Sequence, residues 1–407
     1  MELIIHMALL AERARSAHRE GAHAFPLACD LGPPQADERV LIARRPSAPQ
    51  SPRPPVRLAI QIAPFAIGRP DSWWYLAQHL APLAAGSGTL WLGRGPEQGQ
   101  FVGVVRVDER IEPITSLRLI GPGLERVAAV DFPKTWVPTS EDVARWSRHV
   151  GALDWETWQR QRTLRVTVIG AGRIGSVAAT TLAYWGTPLQ IVDADRVERH
   201  NLDATEGVRP PDLGRFKAEV LASHLQRLDT GAPVVPVVAE VRAAPGQAAL
   251  ADAEVAVCCV DNDAARRFVG HWAHHGGLVL LDLGTGVRRN GEVWRAGADV
   301  RLILPGEGCL SCWGGLAEPA APESGEDWQQ ERAGSLRTLN QLAAHLGLAL
   351  LEQLITGRLA GSIWMRLEIG AATGIPSVRT VPRPPTGVCA DCGAANVRHT
   401  APVAIGH

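Results

Sequence analysis

A glycine-rich segment, Gly170-Ala-Gly172-Arg-Ile-Gly175, directly follows an apolar run that ends at Ile169. Glycines permit a tight turn and let a phosphate group approach the backbone, and a helix that begins there offers free N–H groups to the anion. Asp193 closes the next apolar run, where its carboxylate could accept hydrogen bonds from ribose hydroxyls. The pattern indicates a nucleotide site without distinguishing ATP from NAD. A glycine turn that serves packing alone is the alternative.

Four of the seven cysteines occur as two C-x-x-C pairs, Cys309-Leu-Ser-Cys312 and Cys389-Ala-Asp-Cys392. Each pair can present two thiolates to one ion, and the two pairs together would complete a tetrahedral site. Four protein ligands leave no position for a catalytic water. The pattern therefore predicts a structural Zn²⁺ that ties the C-terminal tail to the preceding domain. Two redox-active pairs and four free cysteines are the alternatives.

The segments around these motifs alternate between short apolar runs and helical patterns. We predict strands over residues 164–169, 189–192, 234–238, 254–260 and 278–283, with helices over 177–185, over about 213–229 and after Asp263 to about 275. Strands that alternate with helices are typical of an α/β domain with a parallel sheet. Residues 139–407 are therefore predicted to form a doubly wound, mostly parallel sheet with a Rossmann-type nucleotide loop and a zinc-clipped C-terminal tail.

The first 138 residues carry no chemical motif. A stretch rich in Pro, Arg and Ser, residues 33–55, is predicted to be a linker or loop. Strand patterns and a helical pattern that begins near Ser72 make up much of the remainder. We predict a small, separate α/β module of unknown role for residues 1–138.

The bulk composition excludes several classes of protein. The chain of 407 residues is 46% apolar with a net charge of −1, and no apolar run reaches membrane-spanning length. Neither a nucleic acid nor a membrane is therefore expected as a partner. The cysteines are too few for a disulfide scaffold, and the N-terminus lacks the pattern of a signal peptide, so we expect a reducing, cytoplasmic location.

Taken together, the motifs resemble the ThiF/MoeB/HesA family, the bacterial relatives of ubiquitin-activating enzymes, over roughly residues 142–393. The paired C-x-x-C motifs are also a trait of that family. The other similar stretches are the helix Arg145-Trp-Ser-Arg148-His, the loop Gly170–Ser176, the run Val192–Leu202 (V-D-x-D-x-V-E-x-x-N-L), Asp212-Leu-Gly-x-x-Lys217-Ala, and Cys259-Val-Asp261-Asn262 with Arg266.

The resemblance implies ATP-dependent adenylation of a C-terminal carboxylate. Asp193 would hold the ATP ribose, Lys217 would contact the phosphates and Asp261 would bind Mg²⁺. Arg148 would reach the γ-phosphate from a partner subunit, which implies a homodimer. The implied nucleotide site comprises Gly170, Gly172, Gly175, Asp193, Asp195, Asn201, Lys217 and Asp261. Attack of a carboxylate on the α-phosphate needs charge stabilisation more than a base, and lysine, arginine and Mg²⁺ supply it.

Two positions depart from the family pattern. The family has a phosphate-binding arginine where this chain has Ala204, and Arg209 is a nearby arginine that could substitute. The glycine loop also carries Arg173 where the family commonly has glycine, and its side chain would either add positive charge near the phosphate or crowd it. A weakened site, or a non-catalytic scaffold subunit, therefore stays open.

The remaining cysteines bear on the step after adenylation. Cys258 and Cys259 end an apolar strand, Cys29 lies in the N-terminal module, and the segment 313–332 contains no cysteine. We therefore expect the reaction to stop at the acyl-adenylate or to continue on the nucleophile of a partner. The apolar helical stretch 336–359 indicates either a dimer interface or a core helix.

A ubiquitin-like or sulfur-carrier protein is the expected substrate. A ribosomal peptide precursor is an alternative that keeps the same chemistry. An NAD-dependent oxidoreductase is an alternative of a different class, but it leaves Lys217, Asp261 and the cysteine pairs without a role.

Overall fold

The computed structural model describes residues 2–6, 24–31, 40–44, 56–62, 87–94, 101–107, 110–113, 116–120, 124–128, 140–290, 293–314, 335–369, 374–383, 389, 391 and 392. Within these ranges the strands form two sheets, one N-terminal and one C-terminal.

The N-terminal sheet has nine strands in the order β7-β6-β5-β4-β2-β3-β1-β8-β9. These are β1 (Glu2–His6), β2 (Ala24–Leu31), β3 (Val40–Arg44), β4 (Val56–Ile62), β5 (Ser87–Arg94), β6 (Phe101–Val107), β7 (Arg110–Pro113), β8 (Ser116–Ile120) and β9 (Glu125–Ala128). Strand β3 lies inside the stretch 33–55 that the sequence assigns to a linker or loop, because its apolar run Val-Leu-Ile suits a strand. The helix predicted near Ser72 lies outside the described residues.

The C-terminal sheet has eight strands in the order β12-β11-β10-β13-β14-β15-β16-β17. They are β10 (Val166–Ile169), β11 (Leu189–Val192), β12 (Val234–Val237), β13 (Val255–Cys258), β14 (Val279–Asn290), β15 (Val293–Ile303), β16 (Ile363–Ile369) and β17 (Pro376–Thr380). The strands from β12 to β14 pair in parallel, and those from β14 to β17 pair antiparallel. The prediction of a doubly wound, mostly parallel sheet is confirmed, with an antiparallel extension that the pattern did not reveal.

Helices cover both faces of this sheet. They are α1 (Ser140–Arg145), α2 (Ser147–Leu153), α3 (Trp155–Thr163), α4 (Gly175–Trp185), α5 (Lys217–Gln226), α6 (Ala244–Ala251), α7 (Asp263–Gly276), α8 (Leu310–Trp313) and α9 (Arg337–Ile355). Helices α4, α5 and α9 bury apolar side chains against one face, and α6, α7 and α8 against the other. None of the helices in the described ranges is long and apolar enough to cross a membrane.

Strand β10 is buried on both faces. Val166 and Val168 belong to the core under α4, whereas the hydroxyl of Thr167 donates to the carbonyl of Ala249 in α6 at 2.8 Å. The chain leaves β10 over one face and returns from β12 to β13 over the other, so the strand order reverses at β10. Ligands of open α/β sheets bind in the crevice at such a reversal, outside the carboxyl ends of the strands.

The sequence predictions for helices α9 and α5 can be compared with the structure. The stretch 336–359 forms α9, which packs on β14, β15 and α4, so it is a core helix. Leu342 on its outer side is 46% exposed, and a dimer interface there stays a prediction. The helix predicted over 213–229 spans only α5, because the preceding residues form a short 3-10 turn, Pro210–Asp212, and a bridge between Arg196 and Phe216.

Candidate active site

The glycine loop connects β10 to α4. Gly170 has φ +92°, and a Cβ there would lie 3.0 Å from the carbonyl oxygen of Cys259. A Cβ on Gly175 would lie 1.8 Å from the carbonyl oxygen of Gly170, so a larger residue is excluded at this position. By contrast, no atom of the described residues other than its neighbours Ala171 and Arg173 lies within 4 Å of a Cβ placed on Gly172. The loop is therefore closely packed at its two ends and accessible to a phosphate group in its middle.

Asp193 follows β11 and contacts this loop directly. Its Oδ2 accepts a hydrogen bond from the N–H of Ala171 at 2.7 Å, and its Oδ1 accepts one from the N–H of Asp195 at 2.7 Å. Burial raises the pKa of Asp193 above its ordinary value, although these hydrogen bonds and the charge of Lys217 oppose the rise. Each carboxylate oxygen keeps a second lone pair for a ribose hydroxyl. Asp193 therefore shapes the loop, a role that the sequence pattern does not reveal.

Lys217 is the first residue of α5, and it lies beside Asp195. Its Nζ donates to Oδ2 of Asp195 at 2.8 Å, and its backbone N–H donates to the carbonyl of Asp195 at 2.9 Å. The side chain of Lys217 is only 13% exposed, whereas that of Asp195 is 71% exposed. Ion pairs with such exposed partners are weak, so a phosphate could replace Asp195 as the partner of the ammonium group. The structure thus brings Asp193, Asp195 and Lys217 together at the loop.

Asn201 shapes the segment that follows β11. It is buried, and its Oδ1 accepts a hydrogen bond from the N–H of Glu198 at 2.8 Å within a 3-10 turn, Arg199–Asn201. The N–H of Glu206, further along this segment, donates to the hydroxyl of Ser176 in the first turn of α4 at 3.0 Å. Asn201 thus stabilises a turn near the start of α4, and its contact with a nucleotide stays a prediction.

Asp261 follows β13 at the same edge of the sheet as the glycine loop. The N–H of Cys259 donates to the carbonyl of Ile169 at 2.8 Å, so the two strand ends lie side by side. Asn262 caps α7 by accepting from the N–H of Ala265 at 2.7 Å. The carboxylate of Asp261 is exposed and makes no hydrogen bond or ion pair with the described part of the chain. A carboxylate in this position suits Mg²⁺, which commonly binds one or two carboxylates together with substrate phosphates.

Arg266, in the first turns of α7, is part of a buried ion cluster. Its guanidinium donates to Asp282 at 2.6 Å, and Asp282 also accepts from Arg301 at 2.8 Å. Burial alone would lower the pKa of Arg266, but the carboxylate of Asp282 raises it overall, so the guanidinium is charged. This cluster anchors α7 directly after Asp261. The signal for it was an acid inside the otherwise apolar run Leu278–Leu283.

Arg148 lies apart from these residues in its own chain. The indole of the neighbouring Trp146 donates to the carbonyl of Tyr184 at 3.0 Å, and Arg145 donates to the carbonyl of Leu228 at 2.8 Å. Tyr184 is in the last turn of α4, which at 11 residues is about 16 Å long, and the glycine loop is at the opposite end. Arg148 itself is exposed. The structure therefore does not bring Arg148 to the glycine loop of its own chain.

The four cysteines of the C-x-x-C pairs form one cluster. Their Sγ atoms all lie within 4.8 Å of one another, with 3.9 Å between Cys309 and Cys312, 3.8 Å between Cys309 and Cys389, and 3.5 Å between Cys312 and Cys392. Tetrahedral zinc with Zn–S bonds of about 2.3 Å needs S···S distances of about 3.8 Å. The hydrogen bond between Cys309 and Cys312 lowers the pKa of the Cys312 thiol and raises that of the Cys309 thiol, so it favours a thiolate at Cys312. The cluster thus fits Zn²⁺ and argues against independent free thiols.

The other cysteines differ in environment. Cys258 is fully buried, and burial raises the pKa of its thiol to about 12. Burial also raises the pKa of Cys259 well above its ordinary value. Neither thiol is therefore a good nucleophile near neutral pH, because the thiolate is the reactive form. Cys29 lies in β2, and its side chain is outside the described residues.

Comparisons with known proteins show which family this chain resembles over most of its length. The model of the ThiF family matches residues 146–392. The chain is 30% identical over 184 residues to the SAMP-activating enzyme E1 of Haloferax volcanii, which covers 44% of this chain and 64% of that protein. It is 30% identical over 141 residues to the adenylyltransferase and sulfurtransferase uba4 of Aspergillus clavatus, which covers 34% of this chain and 29% of that protein.

Two further relatives extend the comparison. The molybdopterin-synthase adenylyltransferase of Escherichia coli is 24% identical over 177 residues, which cover 43% of this chain and 69% of that protein. The crystal structure of MccB from E. coli has a TM-score of 0.50 and 19% identity, and the match covers 66% of this chain and 77% of that one. This likeness supports the fold. The chain spans less than two thirds of the length of the Haloferax and Aspergillus relatives.

Proposed function

This chain belongs to the ThiF family, and on that premise we propose that it is an ATP-dependent adenylyltransferase. Its substrate in this proposal is the C-terminal carboxylate of a small ubiquitin-like or sulfur-carrier protein, and its product is the acyl-adenylate. The observation that carries the proposal is the convergence of the glycine loop, Asp193, Lys217 and Asp261 at one edge of the sheet. A dinucleotide site would use the loop and Asp193 but leave the other two residues without a role.

The reaction needs binding and charge stabilisation. The triphosphate would lie along the open middle of the loop at Gly172, with the ribose against Asp193 and a phosphate on the ammonium group of Lys217. Asp261 would hold Mg²⁺, which neutralises phosphate charge when it is bound. An oxygen of the substrate carboxylate attacks the α-phosphorus, the bond to the bridging oxygen of the β-phosphate breaks, and pyrophosphate leaves. No general base is needed, because a C-terminal carboxylate is ionised at neutral pH.

The cysteine cluster would hold a structural Zn²⁺. It joins the segment after β15, where Cys309 precedes α8 and Cys312 lies within it, to the tail residues Cys389 and Cys392. All four ligands come from the protein, so the ion would stabilise the tail rather than take part in the reaction. A reducing compartment such as the cytoplasm would keep these thiols available for the metal.

A homodimer would complete the site. Within one chain Arg148 lies beside the end of α4 that points away from the glycine loop. Arg148 of a second copy would have to supply the γ-phosphate contact, so the proposed enzyme would act as a homodimer. The exposed Leu342 on α9 is a candidate contact between the copies.

A ribosomal peptide is the second candidate substrate. The nine-stranded sheet of residues 2–128 precedes the segment 146–392 that the family model matches. A module outside the family domain is where a different acyl substrate could be held. The adenylation chemistry would be the same in this case.

Exchange of radiolabelled pyrophosphate into ATP tests the proposal. The full chain is assayed with Mg²⁺ and either a small protein that ends in Gly-Gly or a short peptide with a free C-terminus. Exchange that depends on the protein supports the first candidate, and exchange that depends only on the peptide supports the second. Binding of NAD without pyrophosphate exchange in either case would contradict adenylation. Binding of ATP without any exchange would favour a scaffold role.

A further inference from the structure

Arg173 lies inside the glycine loop, immediately after Gly172. Its guanidinium donates to the carbonyl of His200 at 2.8 Å and lies 2.7 Å from Oδ1 of Asp203. The side chain of Arg173 is 22% exposed, whereas that of Asp203 is 66% exposed. A partly buried cation on the loop is thus paired with an acid that faces the solvent.

The same arrangement occurs at Lys217, whose partner Asp195 is similarly exposed. Exposed carboxylates hold such cations only weakly. A triphosphate carries several negative charges, and a guanidinium can bind its oxygens through two parallel hydrogen bonds. Building on the proposed function, we propose that Arg173 binds the β- and γ-phosphates of ATP, and that Asp203 is the counterion which these phosphates displace.

Neither Ala204 nor Arg209 is suited to this role. Ala204 is buried and carries no charge. Arg209 lies 3.9 Å from Asp212 and is 67% exposed. A Cβ on Gly207, two residues before Arg209, would lie 2.4 Å from the ring of His224. His224 is in the last turn of α5, about 10 Å along the helix from Lys217 at its start. Arg209 therefore follows a residue that packs at the end of α5 distant from Lys217.

Calorimetric titration of the full chain with a non-hydrolysable ATP analogue and with AMP, both in the presence of Mg²⁺, tests the inference. We expect Arg173→Ala to weaken binding of the ATP analogue by about tenfold or more, as for loss of a charge-assisted hydrogen bond, and to leave AMP binding unchanged. Arg173→Lys keeps the charge, so its loss is smaller. Asp203→Asn removes the competing counterion, so it tightens binding of the ATP analogue. Arg209→Ala is the matched control and has no effect.

A purely structural contact between Arg173 and Asp203 predicts a different pattern. In that case Arg173→Ala and Asp203→Asn weaken binding alike, or Arg173→Ala weakens AMP as much as the ATP analogue, and the inference fails. If a thermal melt shows that Arg173→Ala is unfolded, the other two variants test the inference. It then requires a small loss of affinity for the ATP analogue in Arg173→Lys and a gain of affinity in Asp203→Asn. If the wild-type protein binds ATP with the expected dependence on Arg173 but shows no pyrophosphate exchange, the proposed function is contradicted. The inference about Arg173 is then still supported. Absence of ATP binding to the wild type overturns both.

Discussion

Asp193 and Ala171 link the carboxyl ends of β11 and β10 at the site, because the carboxylate that follows β11 accepts a hydrogen bond at 2.7 Å from the N–H group in the loop after β10. The acid therefore holds the glycine loop in the conformation that a phosphate would meet. A change at Asp193 should consequently alter both the loop and the affinity for ATP.

The first prediction concerns pH. Because burial raises the pKa of Asp193, the group takes up a proton at a higher pH than an ordinary aspartate. The protonated carboxyl loses acceptor capacity for the N–H of Ala171, for that of Asp195 and for a ribose hydroxyl. ATP affinity should therefore be constant near neutral pH and fall as the pH is lowered through this raised pKa, which fluorescence titration can follow.

Asp193→Asn supplies the control for this titration. The amide cannot ionise and offers N–H donors to one of its two backbone partners, so ATP binding should weaken by at least about tenfold at neutral pH. It should also lose the acid-dependent fall. A variant that retains the wild-type pH profile would show that another group is responsible.

The second prediction concerns Asp261, whose exposed carboxylate is not engaged by the described residues. Asp261→Asn should leave the free energy of unfolding within about 0.5 kcal/mol of wild type, as for a surface change. Pyrophosphate exchange should fall by about a hundredfold, and the Mg²⁺ concentration needed for half-maximal exchange should rise.

Asp263→Asn is the matched control for Asp261→Asn, because it makes the same change at a carboxylate that belongs to α7. It should retain most of the exchange activity and the wild-type dependence on Mg²⁺. Equal losses in the two variants would place the Mg²⁺ contact elsewhere.

The third prediction concerns the cysteine cluster. Metal analysis of the purified protein should find one Zn²⁺ per chain, and Cys389→Ser should release it. Because the ion ties the tail to the segment after β15, its loss should lower Tm by several degrees at least, given a shift of roughly 2–4 °C per kcal/mol in a domain of this size. Limited proteolysis should then cut near the C-terminus.

Cys29→Ser tests whether the zinc depends on the cluster alone, since Cys29 belongs to neither C-x-x-C pair. This variant should keep the full zinc content. Zinc that persists in Cys389→Ser, or a wild-type chain that contains none, would refute the structural zinc site.

The fourth prediction concerns Asp282, which is fully buried between Arg266 and Arg301. Removing one partner of a buried ion pair leaves uncompensated charge, which typically destabilises a protein by about 3–5 kcal/mol. Asp282→Asn should reduce the free energy of unfolding by that amount in urea titrations. A loss below about 1 kcal/mol would indicate that water or another group compensates the two guanidinium groups.

The fifth prediction concerns the location of Arg148. Arg148→Ala and Lys217→Ala should each abolish pyrophosphate exchange. If Arg148 acts on the site of a second copy, a mixture of the two variants forms heterodimers with one intact site each, and random mixing restores about a quarter of the wild-type activity. A mixture that stays inactive, or a wild-type chain that is monomeric in light scattering, would contradict the homodimer.

The sequence alone determined the local features of this protein. The glycine loop, the alternation of strands with helices and the bounds of β11 could be predicted, because each depends on residues close together in the chain. Motif spacing also identified the four cysteines. The stretch 33–55 was less informative, since its prolines and polar residues masked the short apolar run that forms β3.

Only the tertiary structure decided the relationships between distant segments. Arg148 could be placed at the far end of α4, Arg173 could be paired with Asp203, and Asp282 could be set between two arginines only after the elements were packed. The pairing of the antiparallel strands from β15 to β17 likewise depends on the tertiary fold. The physical reason is that these contacts depend on which helix faces and strand ends come together when the elements pack. The periodicity of residues within one element contains no information about that packing.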